Sequence, residues 1–188
     1  MKIVTRDRWF EVRHCYDGVS LIHEPYVRPF YRCNMWHIQG RARDVLVDSG
    51  SGLVSLREQL PWLTERPLLA VASHTHFDHI AGHHEFDERL VHPAEADILA
   101  SPDGERTLAT AFVDDEMFDA HPDYPLCYAE YRVKAAPATR TSTKATYSTW
   151  ATVPCRSCIR RGIHRAASAC GRRRRRRCSP ATSSTTAR

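Results

Sequence analysis

Two short apolar runs, each opening directly into a polar loop, constrain this chain more than any other feature. "RDVLVDSGSG" is a strand-length stretch that ends in Asp48 and a Ser/Gly turn, and the "LVSLREQLPWL" that follows repeats its apolar residues at helical spacing. "PLLAVASHTHFDH" repeats the design: a buried strand from about Leu68 to Ala72 delivers a cluster of polar residues into the loop beyond it. A succession of strand, loop, helix and strand belongs to an α/β fold, where function gathers on loops at strand ends.

The flanks fit around this unit. "WFEVRHC", "VSLIHE" and "PFYRCNMWHIQG" are rich in aromatic and β-branched residues and are separated by Asp17-Gly18 and by Pro25 and Pro29, so three antiparallel strands are expected first. Beyond the cluster, "ERLVHP" reads as a short strand and "PAEADILAS" as a helix, with Pro93 in its first turn and acidic residues early, as the helix dipole favours. From Asp103 to Tyr131 the pattern allows a helix and a long loop, with Phe112, Met117, Phe118 and Tyr124 as core residues or, less readily, as a substrate wall.

The cluster itself is dense in ligands. His74, His76, Asp78 and His79 stand within six consecutive residues. In an extended loop His74 and His76 point to one side and can share a metal, and Asp78 and His79 follow one spacer later, within reach of a second ion. Imidazole and carboxylate donors favour zinc, with iron or manganese also compatible. Two divalent ions ~3.5–4 Å apart activate water at neutral pH, polarise the bond under attack and steady the leaving group, so hydrolysis is the natural output. A lone histidine in a polar loop would be decoration, and His37, His83, His84 and His92 are read that way, His83 and His84 as helix-surface residues. Three imidazoles and a carboxylate directly after a buried strand exceed that reading.

"HTHFDH" resembles the H-x-H-x-D-H signature of the metallo-β-lactamase superfamily of metallo-hydrolases, and "VDSGSG" resembles that family's upstream Asp-Gly motif. The resemblance runs from about Trp9 to Thr139 and implies an αββα sandwich of two halves with the metal site at one edge between the sheets. It implies that His74 and His76 bind a first metal and Asp78 and His79 a second, and that Asp78 also acts catalytically by orienting the attacking water. Asp48, by itself a strand-end turn carboxylate, would accept hydrogen bonds that position the ligand loop. The implied activity is hydrolysis of an ester, thioester, lactone or lactam bond in a small-molecule substrate, with two zinc ions as cofactor. The family also requires a His in a "GHS" motif, a bridging Asp in an "SGD" motif and a final His, and none of these motifs is present as written. Residues 1–139 are therefore expected to form the N-terminal part of the fold, an incomplete sandwich, with a disordered tail at 140–188.

Composition marks the same boundary. All 22 acidic residues precede Tyr131, accompanied by only twelve of the 27 Lys and Arg, while the remainder of the chain is purely basic and contains no Leu. The tail admits a zinc-knuckle reading through Cys155, Cys158, His164 and Cys170, and a nucleic-acid-binding reading through Arg172 to Arg177. A third reading accounts for more. A constant one-base shift from near Thr139 or Arg140 permits "GHSPGSIGLW" over residues 162–171 and "LFSGDVVYDG" over residues 178–187, which restores the missing motifs in order. On that reading the cysteines and arginines are by-products of GC-rich codons, and the acidic first part argues against a nucleic-acid substrate. No apolar run reaches the ~18 residues of a membrane span, and "MKIVTRDRWFEVRH" lacks the apolar core of a signal peptide, so no membrane association and a cytoplasmic location are expected. Sequencing the encoding DNA across codons 139–140 tests the shift: restoring one base is expected to open a frame through GHS, SGD and a later His, and an unbroken written frame with no such alternative would refute it.

Overall fold

The computed structural model describes residues 3–4, 9–123 and 126–143, all within the first of the two units into which the chain divides, residues 1–153. Tyr124, the tail cysteines and the arginine run lie outside the described residues. Strand β1 (Ile3–Val4) pairs in parallel with β8 (His121–Pro122) as a separate two-stranded ladder. Among the described residues the main sheet has seven strands. Its first three, β2 (Glu11–Tyr16), β3 (Val19–His23) and β4 (Met35–Ile38), run antiparallel as expected. Asp17 and Gly18 both take positive φ between β2 and β3, as the tight two-residue hairpin turn requires. The next strand, β5 (Asp44–Val47), is antiparallel to β4, and from it the sheet continues in parallel through β6 (Leu68–Val71), β7 (Glu88–Val91) and β9 (Arg140–Thr141).

Register assigns the two faces, because paired residues share a face and alternate along each strand. One face carries Ile22, Met35, Leu46, Leu68 and Ala70, which pack with Leu56, Leu63 and Phe86 in one core cluster. Farther along the same face, Ala72 and Val91 join a second cluster with Phe77, Ile80, Leu99, Met117 and Phe118. Met117 and Phe118 are thus core, and Phe112 packs partly buried against them. The opposite face is apolar too. Val19, Ile38, Val45 and Leu69 form one row and Leu21, Trp36, Val47, Val71 and Leu90 another, and they belong to neither cluster. A sheet that is apolar on both faces is built as the inner layer of a sandwich, which is the mixed sheet with helices that the sequence leads one to expect.

The expected helix after β5 is shorter than its apolar period suggests. Helix α1 covers only Leu56–Gln59, capped by Ser55 Oγ accepting from the Glu58 N–H. Pro61 then excludes Leu60 from helical geometry (φ −125°, ψ 64°), and the chain resumes as a 3₁₀ turn over Pro61–Thr64. After β6 come α2 (Phe77–Ile80) and, past a 3₁₀ turn at Pro93–Glu95, α3 (Ala96–Ala100). Helix α4 (Ala109–Phe112) follows. Among the described residues no helix is long and apolar enough to cross a membrane.

Two histidines hold structural places. His37 is buried against the Trp62 ring, its Nε2 3.2 Å from Asp44 Oδ2, in keeping with a structural role. His83 overturns the expectation of a surface residue: it is fully buried, with Nδ1 2.6 Å from Ser49 Oγ, because the 3₁₀ turn at His83–Glu85 directs it inward beneath the loop after β5. Burial pushes its pKa down from 6.5 to about 4, so the folded protein holds it neutral where the unfolded chain would protonate it. Between these two values the unfolded state binds more protons, and stability falls as pH falls through that window, by up to ~3 kcal/mol. In urea unfolding curves, His83→Gln is expected to show a flatter loss of stability from pH 6.5 to 4 than the parent; equal slopes would refute this account.

Candidate metal centre

The topology brings four loops to one edge of the sheet. Strands β3, β5, β6 and β7 all end there and β4 begins there, so Glu24, Cys33, Asp48 and the segment Ser73–His79 meet although they are far apart in sequence. Asp48 takes the left-handed conformation (φ 62°), one that Asp adopts more readily than most residues, and this turns the chain sharply at the strand end. Its carboxylate then accepts the Ser73 N–H at 2.8 Å on Oδ1, while Oδ2 accepts the Ser73 hydroxyl and lies against His79 Nδ1, both at 2.8 Å. The loop that follows is clamped to the segment Ser73–His79: Ser49 N–H donates to the His79 carbonyl at 2.8 Å. A Cβ at Gly52 (φ +66°) would lie 2.8–2.9 Å from Ala81, and one at Gly82 only 2.6 Å from the Ser49 carbonyl, so both glycines are required for the loop to approach α2. Beneath the loop, the fully buried Glu24 carboxylate accepts from Trp9 Nε1 (2.9 Å), Ser51 Oγ (2.5 Å) and Ser51 N–H (3.0 Å). Burial raises its pKa, and these three donors oppose the rise.

The segment Ser73–His79 is anchored by its small and apolar members. Thr75, 3% exposed, donates to Glu95 Oε2 at 2.8 Å, and Phe77 N–H donates to the Thr107 carbonyl at 2.9 Å. Phe77 and Ile80 bury the inner side of α2, leaving Asp78 and His79 half-exposed beside His74, with His76 exposed at the helix cap. The two halves expected to serve separate ions form one patch. The His74 ring lies 4.5 Å from that of His76 and 4.0 Å from that of His79, and His79 Nε2 is 3.2 Å from Asp78 Oδ2.

Charge is arranged to suit a cation. Burial and the neighbouring His79 and His76 lower the pKa of His74, favouring the neutral imidazole that serves as a ligand. For His79, burial opposes protonation, but hydrogen bonding to Asp48 and Asp78 outweighs it and raises the pKa to about 12, so a proton sits where two carboxylates face one ring. Two ligands bound at 2.0–2.1 Å in a tetrahedral site stand ~3.3 Å apart, and the Nε2 to Oδ2 spacing of 3.2 Å fits a shared ion. A carboxylate on the far ring nitrogen is the usual way to aim a metal-binding imidazole, and Asp48 occupies that position.

Sequence reasoning missed Cys33, Glu24, Ser73 and Glu95. Cys33 lies in a stretch legible only as a strand, yet its Sγ is 3.5 Å from His79 Nδ1 and 4.0 Å from Asp48 Oδ2, and these three side chains form a compact donor group. No local spacing signals a partner 46 residues away.

Residues 28–124 match the family model of the metallo-beta-lactamase superfamily. Among curated proteins, the acyl-coenzyme A thioesterase MBLAC2 of Homo sapiens is 38% identical over 112 residues, covering 53% of this chain and 40% of its own length. The Bos taurus protein of the same name is 37% identical over 143 residues, covering 70% and 50%. The chain thus spans half or less of the length of these relatives. Similar solved structures include a subclass B3 metallo-beta-lactamase, MEM-A1, from a soil metagenome library (19% identity, TM-score 0.41, covering 50% of this chain and 37% of that one). Another is a metallo-beta-lactamase from Pontibacter korlensis (16% identity, TM-score 0.39, covering 61% and 53%). With the family model matching just over half of its residues, this chain belongs to the metallo-beta-lactamase superfamily.

Proposed function

We propose that this chain carries the metal-binding edge of a zinc-dependent thioester hydrolase acting on acyl-coenzyme A or a similar acyl thioester. The observation that carries the reading is the convergence of the His74, His76 and His79 rings and Asp78 on one patch, with His79 Nδ1 held by Asp48. The thioester preference is drawn from the curated relatives, which bear the name acyl-coenzyme A thioesterase.

On this reading His74, His76, Asp78 and His79 hold the metal, which when bound supplies the Lewis acidity that activates water and polarises the thioester carbonyl. Asp48 keeps the Nδ1 proton of His79, so that Nε2 faces the ion. Asp78 stays partly exposed beside the patch, where it orients the attacking water and accepts its proton. A coenzyme A thiol, with a pKa near 8.5 by analogy with cysteine, leaves as a thiolate with little help from a general acid, so the site needs no dedicated proton donor for the departing group. The GHS, SGD and final His motifs of the family are absent from the written sequence, so weak metal binding and slow turnover are expected of this chain alone.

Two outcomes follow. In competition with a chromogenic chelator, Asp48→Asn is expected to weaken zinc binding by ~10–100-fold while the far-ultraviolet spectrum is unchanged, because the imidazole loses its orienting acceptor. Whatever acyl-coenzyme A hydrolysis the chain shows, followed by release of free thiol, is expected to vanish with a chelator and in His74→Ala. Hydrolysis that survives both treatments would overturn the reading.

A further inference from the structure

His79 has two faces, and the function proposed above places the metal on Nε2 alone. On the Nδ1 side lie the Cys33 thiol, the Asp48 carboxylate and the Ser73 hydroxyl, with Cys33 2% and Asp48 4% exposed. We propose that Cys33 Sγ, Asp48 Oδ2, His79 Nδ1 and Ser73 Oγ form a second cation site, selective for a thiophilic divalent ion of the zinc and cadmium class.

The geometry is close to that of a bound ion. Tetrahedral ligands at 2.0–2.1 Å for nitrogen and oxygen and 2.3 Å for sulfur stand ~3.3–3.6 Å apart. Sγ to Nδ1 is 3.5 Å and Ser73 Oγ to Nδ1 is 3.4 Å, both within that range. Asp48 Oδ2 departs from it in a consistent sense: it is too near Nδ1 and Ser73 Oγ, at 2.8 Å each, and too far from Sγ, at 4.0 Å. A shift of the carboxylate oxygen by roughly 1 Å carries it to the tetrahedral separations from Nδ1 and Sγ.

The donor set explains the selectivity. A thiolate and a carboxylate neutralise a divalent ion, so the occupied pocket holds no net buried charge. The thiolate favours soft ions over magnesium or calcium. Binding releases the thiol proton and the proton shared by Nδ1 and Asp48 to solvent, and the Cys33 sulfur and the Nδ1 lone pair form the new bonds. The neutral ring then carries its one proton on Nε2, directed at Asp78 Oδ2 3.2 Å away. An ion on Nδ1 therefore excludes one on Nε2, and a thiophilic metal seated behind His79 switches off the face in front.

The test uses the full-length chain in which every cysteine except Cys33 is replaced by serine, titrated with cadmium and followed by thiolate-to-cadmium absorption and cadmium NMR. One equivalent is expected to give a thiolate band and a resonance in the one-sulfur range, both lost in Cys33→Ser and in Asp48→Asn and both retained in His74→Ala. A resonance in the nitrogen and oxygen range that needs His74, with no thiolate band, would overturn this site and leave the proposed function standing. A chain that binds no cadmium would overturn both, and a thiolate band that persists in Asp48→Asn would place the sulfur's ion elsewhere. Should Cys33→Ser fail to fold, the cadmium resonance of the Cys33-containing chain decides, since the sulfur shift is read without that variant.

Discussion

The Asp48 carboxylate is the interaction on which the site depends. It sits on the left-handed turn that ends β5, takes both the backbone N–H and the hydroxyl of Ser73 at the end of β6, and fixes Nδ1 of His79. One buried anion thus ties two neighbouring strand ends and a helix together. A carboxylate that is 4% exposed tolerates this position because donors surround it, and removing any of them leaves charge without compensation in a region of low dielectric. The loop Ser49–Gly52 depends on the same anchoring, secured from below by Glu24 and from the side by the backbone of α2.

Much of the arrangement was legible along the chain. Alternation and turn residues revealed the antiparallel start, the apolar runs at Asp44–Val47 and Leu68–Val71 revealed the two central strands, and the His74–His79 cluster follows directly on the second of them. These are local signals, carried by spacing within a dozen residues or so. The illegible features come from tertiary approach. Cys33 reaches the site because β4 runs antiparallel to β3 and β5 and so begins where they end; nothing in "YRCNMW" encodes that. His83 defeated its local reading because Gly82 lets the chain press against Ser49 and turns the ring into the core. The helix after β5 was overestimated because period was weighed more heavily than the proline near its end.

The two faces of the sheet show how fold and site are joined. The helix-covered face holds the clusters that support α1 and α2, and through Phe77 and Ile80 it fixes the height at which Asp78 and His79 emerge. The other face presents two apolar rows with few polar interruptions before the edge residues Arg13, Glu88 and Arg140. A sheet of this kind owes its stability to layers on both sides.

The parallel register of β5 and β6 has a kinetic meaning. Val47 pairs with Val71, and the contact of Asp48 with Ser73 lies just past that pair. Parallel neighbours cannot be joined by a tight turn, so this pairing forms only after the intervening loop and helix have closed, a slow and non-local step. A slip of one residue would turn Asp48 to the wrong face and move Ser73 out of reach. The imidazole–carboxylate contact therefore records that the two central strands have found each other in register, and the centre assembles late in folding, as a consequence of a correctly zipped sheet.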